Sequence, residues 1–122
     1  MSRIIGPDFI ALQVRDLEAA KQFYTEQLGL VLAPQSPPNA VLFQTEPIPF
    51  AIRTPLVDLD ASQKLGWGVS LWLNCEKADS LCATLEAHGI TITQQPNDGP
   101  FGRTFAFISP DGYLITVHGS KG

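Results

Sequence analysis

IALQVRDLEAAKQFYTEQLG, residues 10–29, reads as a strand that runs directly into a helix. Ile10, Leu12 and Val14 alternate with Ala11 and Gln13, and a period of two puts one set of side chains against a core and the other on the opposite face. Asp16 then stands where a helix N-cap belongs. Leu17, Ala20, Phe23, Tyr24 and Leu28 follow at helical spacing and Gly29 supplies the stop, so the spacing predicts a helix over about 17–28.

The stretch LWLNCEKADSLCATLEAHG, residues 71–89, has the same order. A displacement of 61 residues sets Ile10, Leu12 and Val14 on Leu71, Leu73 and Cys75, and Leu17, Ala20 and Tyr24 on Ala78, Leu81 and Leu85. It falls to 60 at Gly29 and Gly89. The second helix is predicted over about 78–87. Three short strands are expected after each helix: Leu30–Leu32, Val41–Thr45 and Phe50–Arg53, then Ile90–Thr93, Arg103–Ile108 and Tyr113–His118. The breakers PQSPP (34–38), EPIP (46–49) and SPDG (109–112) separate them. The pattern is an internal duplication, and the expected fold class is α+β: tandem βαβββ modules forming curved mixed sheets around a shared cleft, one helix covering each module. Module one spans about 8–53, the linker 54–66 and module two about 67–118, within a single domain of residues 1–122.

Composition narrows the function classes. The 122 residues are 44% apolar and 16% charged, with 8 Lys and Arg against 12 Asp and Glu, which is the balance of a chain with a core. Few and scattered basic residues leave nothing to track a phosphate backbone, so no nucleic acid partner is expected. No apolar run approaches the ~18 residues of a membrane span, and no membrane partner is expected. Cys75 and Cys82 form neither a CxxC pair nor a framework, and read as reduced core thiols in a cytoplasmic protein.

The run V-x-D-L-E-A-A-x-x-F-Y-x-x-x-L-G (Val14 to Gly29) and the closing F-x-S-P-D-G-Y-x-I-T-V (Phe107 to Val117) resemble the vicinal oxygen chelate superfamily. That group includes glyoxalase I, bleomycin-resistance proteins and extradiol dioxygenases. The resemblance covers nearly the whole chain and implies a homodimer. It further implies, in metal-using members, a divalent ion held by His, Glu or Gln from the first and last strands of the modules. Those positions fall here on Phe9, Ser70 and Thr116, and matching Pro49 with Gly112 adds Arg53. None is a His or a carboxylate, so no metal or other cofactor is expected.

The residues between the core positions are the ligand candidates. Arg53 could pair with a carboxylate or phosphate through its planar fork, or lie at a rim in water. Trp67, Trp72, Phe43, Phe101 and Phe9 could stack on a planar ligand or pack in the core. Trp72 stands out because it alternates with Leu71 and Leu73. Gln13 and Asn74 occupy equivalent places and should share the concave side, where the two amides could donate to one ligand oxygen or hydrogen-bond to each other. His118, on the same strand face as Thr116, is the weak candidate for catalysis, as a general base or hydrogen-bond donor, or else ends a strand in water. His88 suits a helix C-terminus better than chemistry. The stretch NDGPFGR (97–103) resembles the family's flexible loop, where Phe101 and Arg103 would close over a ligand, or else is an ordinary exposed loop.

Three functions remain in competition. The favoured one is a metal-free binder of a small aromatic or carboxylate-bearing molecule. The second is a glyoxalase-superfamily lyase, isomerase or dioxygenase, using a metal or acid-base catalysis. The third is a dimerising domain without a ligand.

Overall fold

The computed structural model describes residues 2–120, and contacts divide the chain into two units with the boundary between Leu59 and Asp60, inside the expected linker. The first unit runs β1 (Ile10–Gln13), α1 (Leu17–Gln22), β2 (Val31–Leu32), β3 (Ala40–Gln44) and β4 (Phe50–Arg53). The second runs β5 (Leu71–Lys77), α2 (Ala78–Ala87), β6 (Ile92–Gly99), β7 (Gly102–Ile108) and β8 (Leu114–Ser120). Each unit is a mixed four-stranded sheet, ordered β1-β4-β3-β2 and β5-β8-β7-β6. The first and last strands of each unit pair in parallel and the remaining neighbours antiparallel. The duplicated α+β architecture is therefore the one the sequence led us to expect.

Side-chain alternation decides which face each helix covers. Phe43 and Phe50 are register partners on β3 and β4, and their rings lie 5.9 Å apart. Tyr24 packs on both, at 5.9 and 5.6 Å, and Phe23 meets Tyr24 edge-on at 5.1 Å. In the second unit Phe105, Phe107, Ile115 and Val117 are buried, as are Ala78, Cys82 and Leu85 of α2. These apolar layers are the main source of stability in units of this size.

The helix ends explain the change of offset. Asp16 caps α1, its carboxylate accepting the Ala19 N–H at 3.1 Å. Helix α2 closes with two bonds, Gly89 N–H to Glu86 O and Ile90 N–H to Leu85 O, both at 3.0 Å, with Gly89 at φ 80°. The first module holds one more residue before its glycine. The chain absorbs it as a π-helical turn over Phe23–Gln27, where Leu28 N–H reaches Phe23 O at 3.2 Å.

Several boundaries differ from expectation. Strand β6 runs to Gly99 instead of stopping at Thr93, and 97–103 is not a free loop. It is the end of a hairpin in which Asn97, Asp98 and Gly99 pair with Thr104, Arg103 and Gly102, with Pro100 and Phe101 at the tip. Pro96 is tolerated because β6 is an edge strand. The register also corrects the match between modules. Gln13 pairs with Arg53 and Asn74 with His118, so Arg53 corresponds to His118, and Thr116 corresponds to Ala51. The turns preceding β4 and β8 differ in length, which shifts the match by two residues from the one anchored on Pro49 and Gly112.

Gly102 sits at φ 105°, and a Cβ there would meet Gly119 O at 2.9 Å. Gly102→Ala should cost about 1–3 kcal/mol. Phe43→Ala should cost about 3–5 kcal/mol through the cavity it leaves, and exposed Phe101→Ala about 1 kcal/mol or less. Urea unfolding followed by far-UV circular dichroism checks that order, which a Phe43→Ala variant as stable as Phe101→Ala would contradict.

Candidate functional site

Because Ile115 and Val117 face the helix layer, Thr116 and His118 must project from the other face of β8, with Trp72 and Asn74 beside them on β5. On this open face Trp72 is 45% exposed and Phe101, at the hairpin tip, 67% exposed. Their rings meet edge-to-face at 5.8 Å and 82°, and Trp72 lies 6.0 Å from the His118 ring. His118 Nδ1 is 3.2 Å from the carbonyl oxygen of Phe101, so the hairpin tip is tied to β8 by a polar contact as well as an aromatic one. The result is a small aromatic shelf with an imidazole at its edge, suited to stacking on a planar molecule.

Other candidate residues are placed differently. Phe43, expected to meet a ligand, is only 2% exposed and belongs to the core under α1. Arg103, expected to close over a ligand, shares the helix-side parity of Phe105 and Phe107. Its Nε donates to Asp79 Oδ1 at 3.0 Å and its Nη1 to Asp98 Oδ1 at 3.3 Å. Asp79, foremost among these causes, raises its already high pKa. Trp67 is 77% exposed in the segment before β5, with Lys64 Nζ 5.2 Å above its ring, a cation–π contact.

In the first unit Phe9 is exposed just before β1. Gln13 Oε1 accepts the N–H groups of Leu56 and Val57 at 2.6 and 3.3 Å. Arg53 Nε donates to Thr54 O at 3.1 Å, and its terminal amino groups have no protein partner among the described residues. What sequence reasoning missed is the partner of His118. Phe101 O lies 17 residues away across the hairpin, and no local pattern signals it.

With the register corrected, the positions at which the resemblance implies metal ligands hold Phe9 and Ala51 in the first unit and Ser70 and Thr116 in the second. A phenyl ring, a methyl group and two hydroxyls do not make a donor set for a divalent ion. Among the described residues no three His, Cys, Asp or Glu side chains come together in a way that could hold one.

Fold and motifs together define a vicinal oxygen chelate protein. Residues 6–117 match the Glyoxalase/Bleomycin resistance protein/Dioxygenase superfamily, and the chain belongs to that family. It is similar to the uncharacterized protein YetH of Bacillus subtilis, with 26% identity over 111 residues, 88% of this chain and 92% of that protein. It is also similar to TnmS3, an antibiotic binding protein from Streptomyces sp. CB03234, with 26% identity, a TM-score of 0.69 and full coverage of both chains. The fosfomycin resistance protein FosX of Listeria monocytogenes, solved with Mn(II) and sulfate, shares the fold. It is 18% identical with a TM-score of 0.71, over 97% of this chain and 92% of that one.

The two thiols lie outside this shelf. Both are free, and burial above all pushes Cys75 and Cys82 above the ordinary thiol range, helped by Glu76 for the first and by Glu86 and Asp79 for the second. A raised pKa leaves less thiolate near neutrality. Iodoacetamide should therefore alkylate the folded protein more slowly than the urea-unfolded chain at neutral pH, and faster as pH rises. Equal rates in the two states, read by mass spectrometry, would contradict it.

Proposed function

We propose that this protein is a metal-free binding protein that holds a small planar aromatic molecule against the open face of its second sheet. The observation that carries the reading is the exposed edge-to-face pair of Trp72 and Phe101 beside His118. Trp is highly buried on average, so an indole and a phenyl ring left exposed side by side form an apolar patch open to a partner, and a shelf of this kind offers stacking area with little side-chain entropy to lose. The likeness to an antibiotic binding protein supports the same reading, as does a set of side chains at the family's metal positions that is poor in donors. On the first unit, taken by itself, Arg53 has terminal amino groups with no protein partner among the described residues and offers a separate group for a carboxylate.

The proposal extends to a homodimer in the cytoplasm. Two free thiols suit a reducing compartment, and closed twofold assembly is the commonest arrangement for such chains. Light scattering should give a mass twice 13.3 kDa, and a mass equal to that of one chain at micromolar concentration would remove the dimer from the proposal.

Binding is read by fluorescence. Trp67→Phe leaves Trp72 as the sole reporter, and planar aromatic compounds such as naphthalenes and quinones should quench it saturably. Trp72→Leu should weaken binding about tenfold, the loss of roughly 1.4 kcal/mol of ring contact. Metal analysis of protein purified without chelator should find no stoichiometric zinc, nickel, manganese or iron. Unchanged Trp72 emission across the compound series, or one bound transition ion per chain, would overturn the reading.

A further inference from the structure

We infer that His118 Nε2 selects among aromatic ligands, favouring those that present a hydrogen-bond donor such as a phenol hydroxyl or a ring N–H. The inference rests on the aromatic-binding reading above and narrows its ligand class. A carbonyl oxygen carries only lone pairs, so the 3.2 Å contact of His118 Nδ1 with Phe101 O is attractive only when Nδ1 bears the proton. In the neutral ring the other nitrogen then bears a lone pair. Nε2 has no protein partner among the described residues, so that lone pair is open to a ligand donor. A tautomer with the proton on Nε2 would set two lone pairs against each other across the same gap.

The surroundings support an acceptor at this place. Thr104, the register partner of His118 on β7, donates its hydroxyl to Gly102 O at 3.2 Å and does not compete for Nε2. Asn74, its partner on β5, offers a carboxamide with no protein partner among the described residues. The charges of Arg103, Asp79 and Asp98 are engaged with one another, Arg103 lying on the helix side of β7 and not on the face of His118. The ring itself lies 6.0 Å from Trp72, so a plate stacked on the indole brings its rim substituents to the imidazole. A plate stacked over the half-buried imidazole displaces water from Nε2, and an analogue that cannot donate then leaves that acceptor without a partner.

The test compares 2-naphthol with 2-methoxynaphthalene, which differ in the one donor hydrogen. Titrated into the Trp67→Phe protein by fluorescence and calorimetry, 2-naphthol should bind about tenfold tighter. His118→Phe, which keeps a ring beside Trp72, should bind the two compounds equally and hold 2-methoxynaphthalene as well as the parent does. Should that variant fail to fold, the nitrogen-15 resonances of His118 in the unsubstituted protein decide the matter, and they should report a proton on Nδ1 and a shift at Nε2 with 2-naphthol alone. Equal affinity of the parent protein for both compounds, or a proton found on Nε2, overturns the inference while leaving the aromatic-binding reading intact. Failure of both compounds to bind removes the reading and the inference together.

Discussion

One helix covers one face of a four-stranded sheet, and that constraint organises each unit of this chain. The parallel pairing of β1 with β4 and of β5 with β8 fixes which face is covered, because alternation is then shared by both strands. Phe50 and Ile52, like Ile115 and Val117, go under a helix and are buried. Every residue between them goes to the other face. A slip of one position in either pair would exchange the core for the open face, so the packing of Phe43, Phe50 and Tyr24 in one unit and of Phe105 and Phe107 in the other also fixes where Trp72 and His118 point.

The parts of the fold legible in the sequence are those set by local chemistry. Helix α2 lies at Ala78–Ala87 and β4 at Phe50–Arg53, as predicted, because caps, glycines and prolines bound them within a few residues. The π turn could have been inferred from the fall in offset between the modules, since one residue must be absorbed somewhere in the first helix. The hairpin of β6 and β7 was illegible for the opposite reason. Asn97-Asp98-Gly99-Pro100 has the composition of a loop, and only pairing with Thr104, Arg103 and Gly102 across the turn makes it a strand.

Site residues divide along the same line. Trp72 was legible because Leu71 and Leu73 flank it, a plain alternation. Phe43 misled because Ala40, Val41, Leu42 and Phe43 form a continuous apolar run with no period to say which residue faces which side. For Arg103 the signal existed, since Arg103, Phe105 and Phe107 alternate and two of the three are core. Its identity as a cation outweighed its position. The His118 contact with a carbonyl at the hairpin tip depends on that hairpin, and the misreading of 97–103 hid it.

Two copies of one scaffold need not keep one chemistry, and the corrected register shows how far these two have diverged. At equivalent places stand Gln13 beside Arg53 and Asn74 beside His118. In the first unit Gln13 accepts the backbone N–H groups of Leu56 and Val57, and Arg53 Nε is held by Thr54 O, so both side chains are partly engaged in fixing their own chain segment. In the second unit the Asn74 carboxamide and His118 Nε2 have no protein partner among the described residues, and the Trp72 indole stands beside the His118 ring and meets Phe101 edge-on. A guanidinium fits anions that match its planar fork, whereas an imidazole beside an edge-to-face pair of rings presents a ring surface and a hydrogen-bonding edge together. The second module therefore carries an aromatic surface with an imidazole at its edge, and the first, taken by itself, a guanidinium beside a carboxamide.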